Sequence, residues 1–168
     1  MVRIAVVDGQ GASIGSTIIK KIRKTHGEKV DIWALGTNAM ATGQMMKAGA
    51  NRGATGEGAV CCTVGQVDVI VGSLSILVSN AMMGELTPAM AEAIGASDAE
   101  KLLLPLASEP VRVVGVTADP LPHLVDKLVE DHLSGIIWYK TGSKPVSRGS
   151  NPFSKTEEAK LCVKQTRT

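Results

Sequence analysis

Aromatic side chains are scarce: two tryptophans, one tyrosine and one phenylalanine make up 2% of 168 residues. With 44% of the chain hydrophobic, its core must be aliphatic, with seven methionines as adaptable filler. Cysteine is equally sparse. Its three copies, two of them adjacent as Cys61-Cys62, exclude a secreted disulfide framework and point to the reducing cytoplasm. No long apolar run occurs. The longest uncharged stretch, residues 69–84, is interrupted by Gly72, Ser73, Ser75, Ser79 and Asn80, and a membrane span needs about 20 apolar residues. Nor is there a leader-like segment, because Met1 runs straight into a strand-like stretch. Charge is nearly balanced at +2 but unevenly placed. Residues 1–133 carry 11 basic and 14 acidic side chains, whereas residues 134–168 carry 7 and 2. The body therefore lacks the charge of a nucleic-acid binder, and only the tail has it.

The chain is organised around its first fifteen residues. The apolar run Ile4-Ala5-Val6-Val7 stops at Asp8 and is followed by Gly9-Gln10-Gly11-Ala12-Ser13-Ile14-Gly15 and a helical pattern. Strand, tight glycine turn and helix start form the layout of a phosphate-cradling βα unit. A glycine directly after the strand permits positive φ. A second glycine, at Gly11, removes the Cβ that would hold a pyrophosphate off the backbone. The helix start then offers unpaired N–H groups and a positive dipole end. The third glycine of a dinucleotide fingerprint falls one residue late, at Gly15, with Ile14 in the usual place. The second strand also lacks the usual terminal carboxylate for ribose, ending instead Gly36-Thr37-Asn38. Thr37 and Asn38 suit either ligand contact or capping of the next helix. Asp8 suits either a water-mediated Mg²⁺ or an Asx-type turn.

Along the chain, Ile14, Ile18, Ile19 and Ile22 share one face of a first helix that ends at Gly27, with His26 on its surface. Residues 30–35 read as a strand and 38–48 as a helix whose Met40, Met45 and Met46 fill core. The glycine-rich stretch 51–58 follows, and Arg52, Thr55 and Glu57 are candidate ligand contacts within it. Residues 59–63 and 67–71 read as two strands too closely joined for anything but an antiparallel hairpin. That reading places Cys61 and Cys62 on opposite faces as packing residues. The state of residues 74–83 is open. Thr87-Pro88 caps a helix through Ile94, residues 101–105 and 111–116 read as buried strands, and Asp119-Pro120 opens a last helix. That helix carries His123 in its first turn and Leu121, Leu124, Val125, Leu128 and Val129 on one face. From Ser134 the chain is a basic extension, with residues 136–139 a short strand or a docked segment and residues 155–163 a short helix.

The expected fold is α/β: a Rossmann-like three-layer sandwich, its mostly parallel sheet covered by helices on both faces. Residues 1–133 would form one nucleotide-binding domain and 134–168 an appendage. Ligands in such folds bind at the carboxyl ends of strands, near a reversal in strand order. That edge adds Gly72 and Ser73 to the binding candidates Asp8 to Gly15, Thr37 and Asn38.

The opening motif is accompanied by Gly36-Thr37-Asn38, Ala48-Gly49-Ala50-Asn51, Gly53-Ala54-Thr55-Gly56-Glu57, Gly84-Glu85-Leu86-Thr87-Pro88-Ala89-Met90-Ala91 and Leu121-Pro122-His123-Leu124. With these blocks in order over about residues 2–130, the chain resembles a family of small bacterial proteins, common in anaerobic Firmicutes, catalogued only as a domain of unknown function. The resemblance implies a Rossmann-like fold and a cytoplasmic location, but no activity. Nothing carries over to the tail.

Three functions compete. The first is binding of a nucleotide or dinucleotide, of the NAD or NADP type or another nucleotide, without chemistry. The second is a small oxidoreductase-like enzyme whose site is completed by loops 51–58 and 79–88. Asp8, Glu57, Glu85 and His123 would be its titratable groups, and acid–base work would need two of them together. The third is an interaction protein whose glycine turn has lost its ligand, or a homodimer using Met82 and Met83 if these are exposed. The basic tail would suit an acidic partner or nucleic acid.

Overall fold

The computed structural model describes residues 1–106, 110–116 and 119–142. The expectations for residues 155–163 and for the basic tail beyond Gly142 lie outside these. Five strands form one sheet: β1 (Val2–Asp8), β2 (Val30–Gly36), β3 (Arg52–Thr55), β4 (Val69–Ser73) and β5 (Glu100–Leu104). Their order is β3-β2-β1-β4-β5, and every pairing is parallel. The chain steps outward from β1 to β3 and then returns to add β4 and β5 on the other side. The reversal in strand order therefore falls between β1 and β4.

Side-chain alternation along β1 assigns the two faces. Ile4 and Val6 lie in one core, with Ile18, Ile19 and Ile22 of α1 (Ser13–His26) and Met45 of α2 (Ala39–Lys47). Ala5 and Val7 lie in the other. There they meet Val60 of α3 (Glu57–Thr63) and Met90 and Ile94 of α4 (Pro88–Ala96). Burying each large aliphatic side chain stabilises the fold by roughly 1.5–3 kcal/mol. Two buried faces explain why the central strands read as continuous apolar runs.

Several expectations are corrected. Residues 59–63 are not a hairpin strand but the body of α3. Val60 and Val64 are buried four residues apart while Cys62 is exposed, which is helical spacing. The antiparallel pair therefore does not form, and the strand before β4 is instead the short, polar edge strand β3. Residues 111–116 pair with nothing among the described residues. A turn forms at Val114-Gly115, with Gly115 at φ 86°, and the valines there are exposed. Of the two readings of residues 136–139, a short strand or a docked segment, the docked segment is what forms, as helix. A helical run continues from α5 (Leu121–Asp126) through a π-helical stretch, Lys127–Leu133, into α6 (Ser134–Thr141). Leu133, Ile136 and Ile137 are buried in the same core as α1, so packing extends past residue 133. His26, expected at the surface, is half-buried against this run, with Nε2 3.1 Å from Ser134 Oγ. Of the α2 methionines only Met45 is fully buried, and Met40 is exposed.

Candidate functional site

The β1–α1 turn sits at the reversal in strand order. Asp8 ends β1 with a carboxylate that is only 7% exposed. Its Oδ1 accepts from the Gly9 amide at 2.8 Å and its Oδ2 from the Gly15 amide at 2.6 Å. Both oxygens thus tie the strand end to the helix, as the turn role requires. Burial pushes the Asp8 carboxyl up from its ordinary value, against the lowering effect of the Gly15 and Gly9 amides, and the nearby Glu85 charge adds to the rise.

The backbone does not use its glycines as expected. Positive φ occurs at Gln10 and Ala12, both 47°, and at none of Gly9, Gly11 or Gly15. These left-handed non-glycine residues are conformations that cost energy and cluster at functional sites. Gly9 is required by packing, since a Cβ there would lie 2.5 Å from Thr37 Oγ1 and 2.6 Å from Met82 Sδ. Gly15 is required by close helix–strand approach, with Asp8 Cβ at 2.9 Å. Gly11 differs: a Cβ there would meet nothing within 4 Å. Gly72 likewise serves packing, against the Val7 carbonyl at 2.8 Å.

The amides divide in the same way. Gly9 and Gly15 donate to Asp8, Ala12 to the Gly9 carbonyl at 2.8 Å, and Gln10 to Glu85 Oε2 at 2.8 Å. Among the described residues, those of Gly11, Ser13 and Ile14 have no acceptor. No side chain caps the start of α1 either. In front of these amides lies a cavity of about 290 Å³, lined by residues 8–14 and by Ser73, Ser75, Met82, Pro105 and Leu106. Ser73, at the end of β4, is 5% exposed, and its hydroxyl has no partner among the described residues. The cavity thus joins the carboxyl ends of β1, β4 and β5.

The other candidates are placed differently. Thr37 Oγ1 donates to Glu85 Oε2 at 2.5 Å, and Asn38 Nδ2 donates to the same oxygen at 2.9 Å. Asn38 also caps α2 through Oδ1, which accepts from the Ala41 amide. These bonds, Thr37 first and then the Gln10 amide, hold the Glu85 carboxyl below its ordinary value. Glu57 accepts from Thr87 Oγ1 and so links α3 to the start of α4, away from the cavity. Arg52 stacks 4.9 Å over the Trp33 ring and pairs with Asp31, and Thr55 meets Thr42. His123 is exposed on α5 and does not line the cavity. Of the four titratable candidates only Asp8 and Glu85 are neighbours. Ser75, Pro105, Leu106 and Met82 are cavity residues that carry no motif. The rule that strand ends line the site indicates Ser75, Pro105 and Leu106, and Met82 falls in the loop 79–88 read as completing a site. Met83 is 95% exposed, but Met82 faces the cavity, so the two do not form a common surface patch.

The model of a family described as a domain of unknown function, DUF3842, matches residues 3–136. The chain belongs to this family. The match runs into α6, in agreement with the burial of Ile136 there. No curated protein matches the chain. Among solved structures it is similar to a dodecameric FMN-dependent Ubix-like decarboxylase from Escherichia coli O157:H7, at 13% identity and a TM-score of 0.44. That alignment covers 90% of this chain and 100% of the other. No helix among the described residues is long and apolar enough to cross a membrane.

Proposed function

We propose that this DUF3842 protein binds a nucleotide-type ligand, with phosphate oxygens against the amides of Gly11, Ser13 and Ile14. The observation that carries the reading is the coincidence of these three unpaired amides with a cavity lined by Ser73, whose hydroxyl has no partner among the described residues. An anion at a helix start satisfies such amides and the dipole together. Gly11 supports the same reading, because neither packing nor φ requires a glycine there. The cavity is at the small end of the roughly 300–1,000 Å³ typical of ligand sites.

Binding without turnover is favoured over catalysis. Both Asp8 oxygens are committed to backbone amides, and His123 and Glu57 are away from the cavity. Thermal unfolding with a panel of NAD, NADP, FMN, AMP, ATP, GTP and S-adenosylmethionine tests the reading. A ligand at about 100 times its dissociation constant adds roughly 2.7 kcal/mol, a rise in Tm of roughly 5–10 °C for a domain of this size. A flat response across the panel overturns it and leaves the interaction-protein reading.

A further inference from the structure

We infer that the site takes a ligand with a single terminal phosphate group, a mononucleotide or similar phosphomonoester, whose body runs toward the ends of β4 and β5, because Glu85 closes the β2 side against dinucleotides. This rests on the phosphate site proposed above and specifies which way the ligand leaves it.

In a dinucleotide-binding βαβ unit the adenosine ribose lies over the end of β2, where a carboxylate receives its hydroxyls. Here that place is filled from within the chain. Thr37 Oγ1, Asn38 Nδ2 and the Gln10 amide all donate to one oxygen, Glu85 Oε2, at 2.5, 2.9 and 2.8 Å. Asn38 spends its second amide hydrogen on the Gln10 carbonyl at 3.1 Å and its oxygen on the Ala41 amide. The polar groups at the end of β2 are therefore already engaged. Met82 Sδ fills the space over Gly9 on the same side.

Glu85 is not on a swinging arm. Ala81 and Leu86, on either side of it, are buried in the second core, and Asn80 N donates to Leu86 O at 2.8 Å. The carboxylate is held at the β2 end by a fixed loop, and its own hydrogen bonds keep it ionised. A second phosphate, or a ribose 2′-phosphate, would meet a like charge there. Among the described residues the cavity extends instead toward β4 and β5, where Ser73 and Leu106 line it, and nothing lies within 4 Å of the place a Cβ would take at Gly11.

Isothermal titration of the full chain with AMP, FMN, inorganic phosphate, NAD and NADP tests this. AMP or FMN should bind saturably and at least about tenfold tighter than NAD, because like-charge juxtaposition at an interface costs several kcal/mol. Glu85→Gln, which keeps the size and removes the charge, should narrow that gap by strengthening NAD, and Glu85→Ala should narrow it further. Circular dichroism confirms that both variants fold. NAD or NADP binding as tightly as the mononucleotides overturns the inference while leaving the phosphate site standing. Loss of NAD binding in Glu85→Gln overturns it too, by making Glu85 the ribose acceptor. If no member of the set binds, the inference and the phosphate site fall together.

Discussion

A methyl group added at Gly9 would sit 2.5 Å from Thr37 Oγ1, whereas one added at Gly11 would stand in open space before the cavity. Single substitutions separate these roles. Gly9→Ala forces Thr37, Met82 and Glu85 apart and should cost about 1–3 kcal/mol, as overpacking does, read from urea unfolding. Gly11→Val should change stability by no more than about 0.5 kcal/mol yet abolish the Tm rise given by a bound nucleotide. A Gly11→Val chain that keeps full ligand response would remove Gly11 from the site. Asp8 carries a pH signature. Its carboxyl is raised in the folded chain by burial, so the folded state binds its proton more tightly than the unfolded state does. That contribution is fully present below the unfolded carboxylate value and is lost as pH rises through the folded one. The turn was legible in outline because glycine spacing signals a phosphate loop. The open place of Gly11 was legible in the same spacing, but the packing role of Gly9 was not, since it depends on what the distant residues Thr37 and Met82 place beside it.

Between β4 and α4 the chain turns through Asn80, Met82 and Met83 at φ 63°, 58° and 60°, followed by Gly84 at 90°. Asparagine tolerates the left-handed region, but Met82 and Met83 are strained there, and Met83 is 95% exposed with no core to hold it. Met83→Gly should therefore stabilise the protein, by up to about 1 kcal/mol, in urea denaturation. The helical run after α5 makes an opposite prediction. Ile137→Ala removes a buried side chain and should cost about 2–4 kcal/mol, although residues from 134 on read as an appendage. Its docking on α1 is also pH-dependent through His26. Burial first, and then Lys29, push the imidazole below its ordinary value. A depressed histidine favours the neutral folded form, so stability is fully present above the unfolded value, about 6.5, and falls as pH drops toward the folded one. Urea unfolding between pH 7.5 and 5 checks the slope, which His26→Gln should flatten. Elements with strong patterns were legible, α1 and β4 among them. β3 and α3 were not. Arg52-Gly53-Ala54-Thr55 has no apolar alternation, and five small or β-branched residues fit helix and strand equally.

At the scale of the whole molecule, the sheet order β3-β2-β1-β4-β5 sets the reversal point, and the cavity lies there. Composition and the βα pattern made the α/β class legible. The order of strands was not, because β4 pairs with β1 through contacts some 65 residues apart in sequence, such as the Arg3 amide to Asp68. The same long-range geometry delivers Glu85 to Gln10 and Thr37, an arrangement that no local spacing announces. The central claim is that an anion rests on the amides of Gly11, Ser13 and Ile14. Titrating AMP into ¹⁵N-labelled protein and following each backbone amide by NMR tests it most directly. The account predicts saturable shifts centred on Gly11, Ser13 and Ile14 and extending to Ser73. Shifts confined to another surface, such as the Trp33–Arg52 edge, or none at saturating AMP, would contradict it.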